Sequence, residues 1–246
     1  MRFYGLPLVL ACAPMLSSEA PRPNLPASET LTYSIEWRLI TAGTAKLHWS
    51  SVESGWESWL ELNSTGLVSK LFKVDDDYKS SMGPDLCAAS SRMKILEGRK
   101  NRETSVTFDR EARKAAYLEK DIPKNAVVDS HEIDIPACVH DVTGGLYYLR
   151  TLRLEPGQSA QVPVSDGKKS VMAKVEAQQR EEIKTPAGTF KTVRYEAYLF
   201  NNVLFRRAAH LYVWFSEDER RIPVQIRVRM PITIGTITLQ LEKIES

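Results

Sequence analysis

The chain has 246 residues, 43% hydrophobic and 9% aromatic, enough apolar material for a packed globule and too much for a disordered chain. Its 33 basic and 31 acidic residues leave a formal charge of +2, without the basic excess that nucleic-acid binding needs. All-β domains of about 200–250 residues are routine, so the length does not force a division into two domains.

The first 20 residues read as an export signal. Arg2 supplies the charge and residues 6–16 a short apolar run, broken by Pro7, Cys12 and Pro14. That run is shorter than the roughly 20 residues a bilayer span requires, and no later segment supplies one. Two processing routes stay open. Ser18-Glu19-Ala20 has small residues at the right spacing for cleavage, although Pro21 follows. Val9-Leu10-Ala11-Cys12 is similar to a bacterial lipoprotein box, with the signal ending at residue 11 and Cys12 the lipidated residue. Residues 21–28, rich in proline, form an extended tether, and a single domain follows over 29–246.

Strands dominate from there. Leu31, Tyr33, Ile35, Trp37 and Leu39 alternate with polar residues, and side chains on a strand point to opposite faces with period two. Thr41-Ala42-Gly43 turns this strand into the next, and residues 56–65 make a third. Residues 66–72 space their apolar positions like a short helix or turn. Asp75-Asp76-Asp77 reads as a charged turn without the glycine and glutamate spacing of a calcium loop. Strand-like segments recur near 91–96, 103–108 and 114–118, and residues 129–137 read as a loop with one short extended piece.

Asp141 is placed to cap a helix carrying Leu146, Tyr147, Leu149, Arg150 and Leu152, because its carboxylate can accept free amides of the first turn. Further strands follow at 159–164, 169–178, 182–185, 189–199 and 211–215. The closing pair is the clearest: residues 222–230 alternate strictly, and Ile237, Leu239 and Leu241 repeat the pattern. One dry face and one wet face is an antiparallel signature. About a dozen strands with no repeat period predict a mainly β protein. Strand twist curls so wide a sheet, giving a large antiparallel, strongly curved sheet or open β-barrel with one or two short helices.

Removal of the signal leaves Cys87 and Cys138. An even count in an exported chain predicts a disulfide, worth about 4 kcal/mol for a loop of some fifty residues in the chain-entropy model. The competing reading, a thiol hydrolase using Cys138 beside His140 and Asp141, needs a free thiol. No zinc motif, nucleophile elbow, phosphate loop or dinucleotide fingerprint is present, so neither a metal nor a cofactor is expected and catalysis is not the favoured function. His48, His131, His140 and His210 lack metal-ligand spacing.

Several segments together resemble a family of exported bacterial proteins known only as a domain of unknown function. They are residues 29–37 with Thr41-Ala42-Gly43, residues 141–150, residues 185–190 (Thr-Pro-Ala-Gly-Thr-Phe), and residues 214–224 through to Gly235. The resemblance implies an exported, periplasmic, mainly β protein and brings no catalytic residues. The closing hairpin is also similar to that of periplasmic lipoprotein carriers with an open-barrel fold, where a curved sheet holds acyl chains. This second resemblance covers little of the chain and is an analogy of fold.

The expected function is a periplasmic, non-enzymatic binding protein with an apolar ligand, a lipid or acyl chain, in its curved sheet. Candidate ligand-binding residues are Trp37 and Trp214 in the concave interior, with Tyr147, Asp141 and Arg150; Asp141 and Arg150 serve either as an anchor for a ligand headgroup or as a helix cap and a structural ion pair. The alternative is an envelope scaffold that meets a protein or glycan through its sheet edge or through Arg227 and Arg229 on the polar face of the closing strand.

Overall fold

The computed structural model describes residues 24–38 and 40–246. The signal segment, Cys12 and the start of the tether lie outside the described residues. Fourteen antiparallel strands form one sheet. They are β1 (Ser28–Trp37), β2 (Ile40–Val52), β3 (Gly55–Ser64), β4 (Asp75–Met82), β5 (Ala88–Glu97), β6 (Lys100–Asp109), β7 (Lys114–Asp121) and β8 (Ala126–Asp134), then β9 (Ser159–Ser165), β10 (Ser170–Thr185), β11 (Gly188–Ala197), β12 (His210–Ser216), β13 (Pro223–Arg229) and β14 (Thr236–Glu245). Two helices interrupt the meander, α1 (Gly66–Leu71) and α2 (Val142–Thr151).

The order across the sheet runs from β8 down to β1, then β14 down to β9, so β1 and β14 pair at its centre and β8 and β9 are its edges. The edges do not pair with each other. Instead the chain entering α2 spans the opening: the Ala88 amide donates to the Val139 carbonyl, the His140 amide to Pro163, and the Ser165 amide to His140. The Cys87–Cys138 disulfide, with Cα atoms 5.1 Å apart, ties this segment to the β4–β5 turn. Across the same opening Lys168 reaches Glu119 and Asp129. The β9–β10 turn packs so closely there that a Cβ on Gly167 would lie 2.6 Å from Val106 Cγ2, and its φ of +83° is itself left-handed, so only glycine suits the position.

Helix α2 lies in the concavity and divides it. On one side Trp49, Trp56, Met82, Leu86, Tyr147, Ile222 and Val224 pack into a solid base. On the other, Leu149, Val162, Val175, Val213 and their neighbours surround open space.

Five readings change. Thr41-Ala42-Gly43 is not the turn: β2 already begins at Ile40, and Thr41 and Gly43 pair with β1. Residues 129–134 are not a loop: β8 runs to Asp134, and its half-buried face carries Asp129, His131 and Ile133, so the strand shows no apolar alternation. Asp75-Asp76-Asp77 opens β4 rather than turning the chain; Asp76 is 4% exposed and accepts the Leu96 amide at 2.8 Å. Residues 182–185 are the end of a single 16-residue β10, irregular between Ala177 and Gln179. The closing strand is wet only at its far end, since Pro223 and Gln225 are buried along with Val224.

Candidate functional site

The space beyond α2 is an apolar cavity of about 240 Å³. Inward-facing side chains of β9 to β14 and of β1 to β3 form its wall, with Val162, Ala173, Val213, Ile226 and Leu239 among them. Leu146 and Leu149 of α2 make its floor. Leu199, Phe200, Leu204 and Phe205, from the β11–β12 connection, cover it at the other end.

Four lining residues carry polar groups in their side chains, and each group is engaged elsewhere. Tyr33 donates its hydroxyl to the Pro223 carbonyl at 2.8 Å. Thr143 Oγ1 lies 2.7 Å from Ser58 Oγ. Ser165 donates to the Lys169 carbonyl, and Asp141 is held by α2 and β4. The cavity therefore offers no unmet side-chain hydrogen-bonding group, and an apolar cavity of this kind favours hydrocarbon over water.

Asp141 is the N-cap of α2. Its Oδ1 accepts the Gly144 amide at 2.7 Å, and its Oδ2 accepts the hydroxyls of Tyr78, at 2.9 Å, and Ser80. Burial pushes its carboxyl above the usual carboxylate range, although all three donors pull the other way. Arg150, at the other end of α2, forms an ion pair with Glu29, which also accepts the Tyr147 hydroxyl at 2.8 Å. Arg150 also donates to the Arg220 carbonyl at 2.8 Å, and Arg221 Nε donates to the Arg150 carbonyl at 3.0 Å. The last turn of a helix leaves carbonyls without intrahelical partners, and Arg221 satisfies one of them. Asp141 and Arg150 are 2% and 3% exposed, so both are committed to positioning the helix and neither is free for a headgroup. Tyr147 stacks on Trp49 with ring centroids 3.6 Å apart, inside the packed base rather than the cavity.

The two tryptophans part company. Trp37 follows Tyr33 and Ile35 on the concave side but sits at the rim, half-buried, its Nε1 donating to the Ile234 carbonyl at 2.8 Å. Trp214 does not face the interior. Its neighbours Val213 and Phe215 do, so alternation turns the indole to the convex face. There Nε1 donates to Glu181 at 2.8 Å, and the guanidinium of Arg227 stands 5.0 Å from its centroid. Arg227 and Arg229 line an open groove on that convex face with Arg38, Glu36 and Gln240.

Cys138 is in the disulfide and so is not a free thiol. His140 is 2% exposed, with Nδ1 2.8 Å from the Leu86 carbonyl; burial holds its pKa below the ordinary histidine value. Among the described residues no group of three His, Cys, Asp or Glu side chains could hold a metal ion. Also among them, no helix is long and apolar enough to cross a membrane.

Sequence reasoning did not find Glu29, Tyr78 and Ser80, the partners of Arg150 and Asp141, because each lies more than 60 residues away along the chain. It also read Tyr198 and Leu199 as strand and passed over residues 200–205. Apolar pairs flanking Asn201-Asn202 in a connection between strands were the available signal.

A solved structure shares the fold. A β-barrel-like protein of the domain-of-unknown-function family DUF1849 from Brucella abortus superimposes with a TM-score of 0.58 at 9% identity, covering 89% of this chain and 97% of that one. A Bacteroides fragilis protein, described as exported and YmcC-like in fold, matches with a TM-score of 0.39 at 12% identity, covering 91% and 98%. No curated protein matches the chain. Residues 32–242, nearly the whole β sheet, match the family model of DUF3108, described as a protein of unknown function, and the chain belongs to that family.

Proposed function

We propose that this protein is a non-enzymatic carrier of the cell envelope that holds a hydrocarbon segment, such as part of an acyl chain, in the cavity beyond α2. The observation that carries this reading is the lining: hydrocarbon along nearly all of its wall and floor, with each polar side chain there already bonded within the protein. A dry cavity of about 150 Å³ is enough to bind benzene, and this one measures about 240 Å³. It suits a stretch of chain rather than a whole lipid, so the polar part of such a ligand would stay outside. The signal-like first 20 residues support export, and the disulfide suits an oxidising compartment.

The test is organic extraction of the purified protein followed by mass spectrometry of the extract, beside native mass spectrometry of the intact molecule. Acyl lipid in near-stoichiometric amount is expected. Ala173→Phe, which projects a ring into the cavity from β10, should abolish it while circular dichroism stays unchanged. A parent protein free of lipid that also fails to take up a fluorescent fatty acid would sink the proposal.

A further inference from the structure

The meander places its connections alternately at two ends of the barrel. Those running from an odd-numbered strand to the next even one lie together at one end, and the remaining connections lie at the other. The two ends differ in charge and in polarity. The β9–β10 turn is folded into the opening, with Lys168 paired to Glu119 and Asp129; the other six odd-to-even connections contain seven basic residues and no acidic one. The connections at the opposite end contain six basic residues and eight acidic ones. Strand-end residues Asp75, Glu97 and Asp121 adjoin the first rim, as do Lys100 and Arg229, so its basic excess persists.

Most of the large apolar side chains left exposed lie at this same rim, although Val142 at the start of α2 is also 55% exposed. Ile232 is 93% exposed, Leu71 76%, Leu67 64% and Phe72 52%, with Ile40 and Ile122 close behind. These tips are braced against one another. Arg38 of the β1–β2 turn donates to the carbonyls of Ile232, Thr233 and Ile234 in the β13–β14 turn. The Gly98 amide donates to the Lys73 carbonyl, joining the β5–β6 turn to the connection that carries α1. The Ile122 amide donates to the Asn101 carbonyl in the same way.

We infer that this rim is a docking surface for an anionic lipid bilayer. Soluble proteins rarely expose so many large apolar side chains together without a partner. The partner here must be negatively charged, because the rim is basic, and apolar at the depth of its tips. An interface of acidic headgroups over acyl chains has both properties, and basic residues near such a surface each add to binding. The ring of tips spans much of the sheet, which suits a plane rather than a groove-bound peptide. Docking also places the covered end of the cavity, residues 198–205 with Arg206 and Arg207 beside them, against the bilayer. The surface is nevertheless separate from the carrier reading, since it needs nothing from the cavity.

The experiment is co-sedimentation of the purified chain, carrying Cys12→Ser so that no lipid anchor contributes. The vesicles are of phosphatidylcholine alone or of phosphatidylcholine with phosphatidylglycerol. Binding to the anionic vesicles is expected to exceed binding to the neutral ones and to fall with added salt. Arg206→Glu with Arg207→Glu should weaken it about tenfold or more. Leu71→Asp with Ile232→Asp should weaken it comparably, and Arg153→Glu at the opposite end should leave it unchanged. All these side chains are exposed, so the fold should survive. Equal sedimentation with both vesicle types, or rim variants that bind like the parent, would overturn the inference. So would no sedimentation at all, which would leave the rim to a protein or a glycan. Vesicle binding by a protein that yields no extracted lipid would remove the carrier reading alone.

Discussion

Helix α2 has two neighbours that could hardly differ more. Towards the base of the barrel it meets aromatic rings and a set of buried polar groups: Glu29 with Arg150 and Tyr147, Asp141 with Tyr78 and Ser80, Ser58 with Thr143. Towards the other end it meets hydrocarbon around empty space. Polar pairs add little net stability over apolar packing of the same volume, but their geometry is directional and they resist displacement. The base therefore fixes where the helix lies. The cavity needs no unmet polar group on its own walls, because the few it has are bonded within the protein and its floor is held from below.

The comparison breaks most sharply at Glu29. Replacing it by alanine leaves the Arg150 guanidinium buried beside an apolar gap, which costs about 3–5 kcal/mol for a broken buried pair. Chemical denaturation should record that loss. Glu29→Ala combined with Arg150→Met should recover most of it, since the uncompensated charge goes too. A loss below about 1 kcal/mol for the single variant would mean that the pair does not hold the helix.

Asp76 sharpens the contrast from the opposite direction. Like Glu29 it is a carboxylate buried on the concave side, but its buried hydrogen bond comes from the backbone amide of Leu96 and not from a cation. Burial pushes its pKa up to about 6. Below about pH 4 the group is protonated folded and unfolded alike, and it costs nothing. Between about pH 4 and 6 the folded protein keeps a proton that the unfolded chain releases, so stability falls as pH rises. Above pH 6 the whole penalty is present. Asp76→Asn keeps an acceptor for Leu96 and removes the charge. It should stabilise the protein at pH 7 by on the order of 1–2 kcal/mol and flatten the fall between about pH 4 and 6. Denaturation midpoints across that range that coincide with those of the parent would refute this.

Much of the frame was legible in the chain because it is written locally. Leu31, Tyr33, Ile35 and Trp37 alternate in sequence and lie on one strand, Asp141 precedes a helix and caps it, and Cys87 and Cys138 form a disulfide. What stayed hidden was written across the sheet. The burial of Asp76 depends on a strand beginning 12 residues later, and the turning of Trp214 to the convex face depends on which of two apolar sets faces inward. Alternation gives the two faces but not their assignment when both carry aromatic or aliphatic side chains. The cavity is the extreme case. Val162, Ala173, Val213 and Leu239 would look the same in a filled core, and whether space remains depends on where α2 stops.

Gly144 and Gly145 test that last point at a single turn of helix. Neither has a left-handed φ, so backbone strain does not decide between them. A Cβ on Gly144 would meet Asp141 Oδ1 at 2.8 Å and Met82 Sδ at 2.9 Å, on the packed side. A Cβ on Gly145 would find nothing closer than His140 Cβ at 3.8 Å and Val164 Cγ1 at 3.9 Å, which is ordinary contact at the cavity wall. Alanine is favoured over glycine inside a helix by about 1 kcal/mol. Gly145→Ala should therefore stabilise the protein by about that amount. Gly144→Ala should destabilise it by about 1–2 kcal/mol, because the new methyl displaces the oxygen that caps the helix and presses on a well-filled base. Thermal melts of the two variants should move in opposite directions from the parent. If both rise, the base is looser than its contacts imply; if both fall, the helix has no free side and the cavity is not the relaxed space described above.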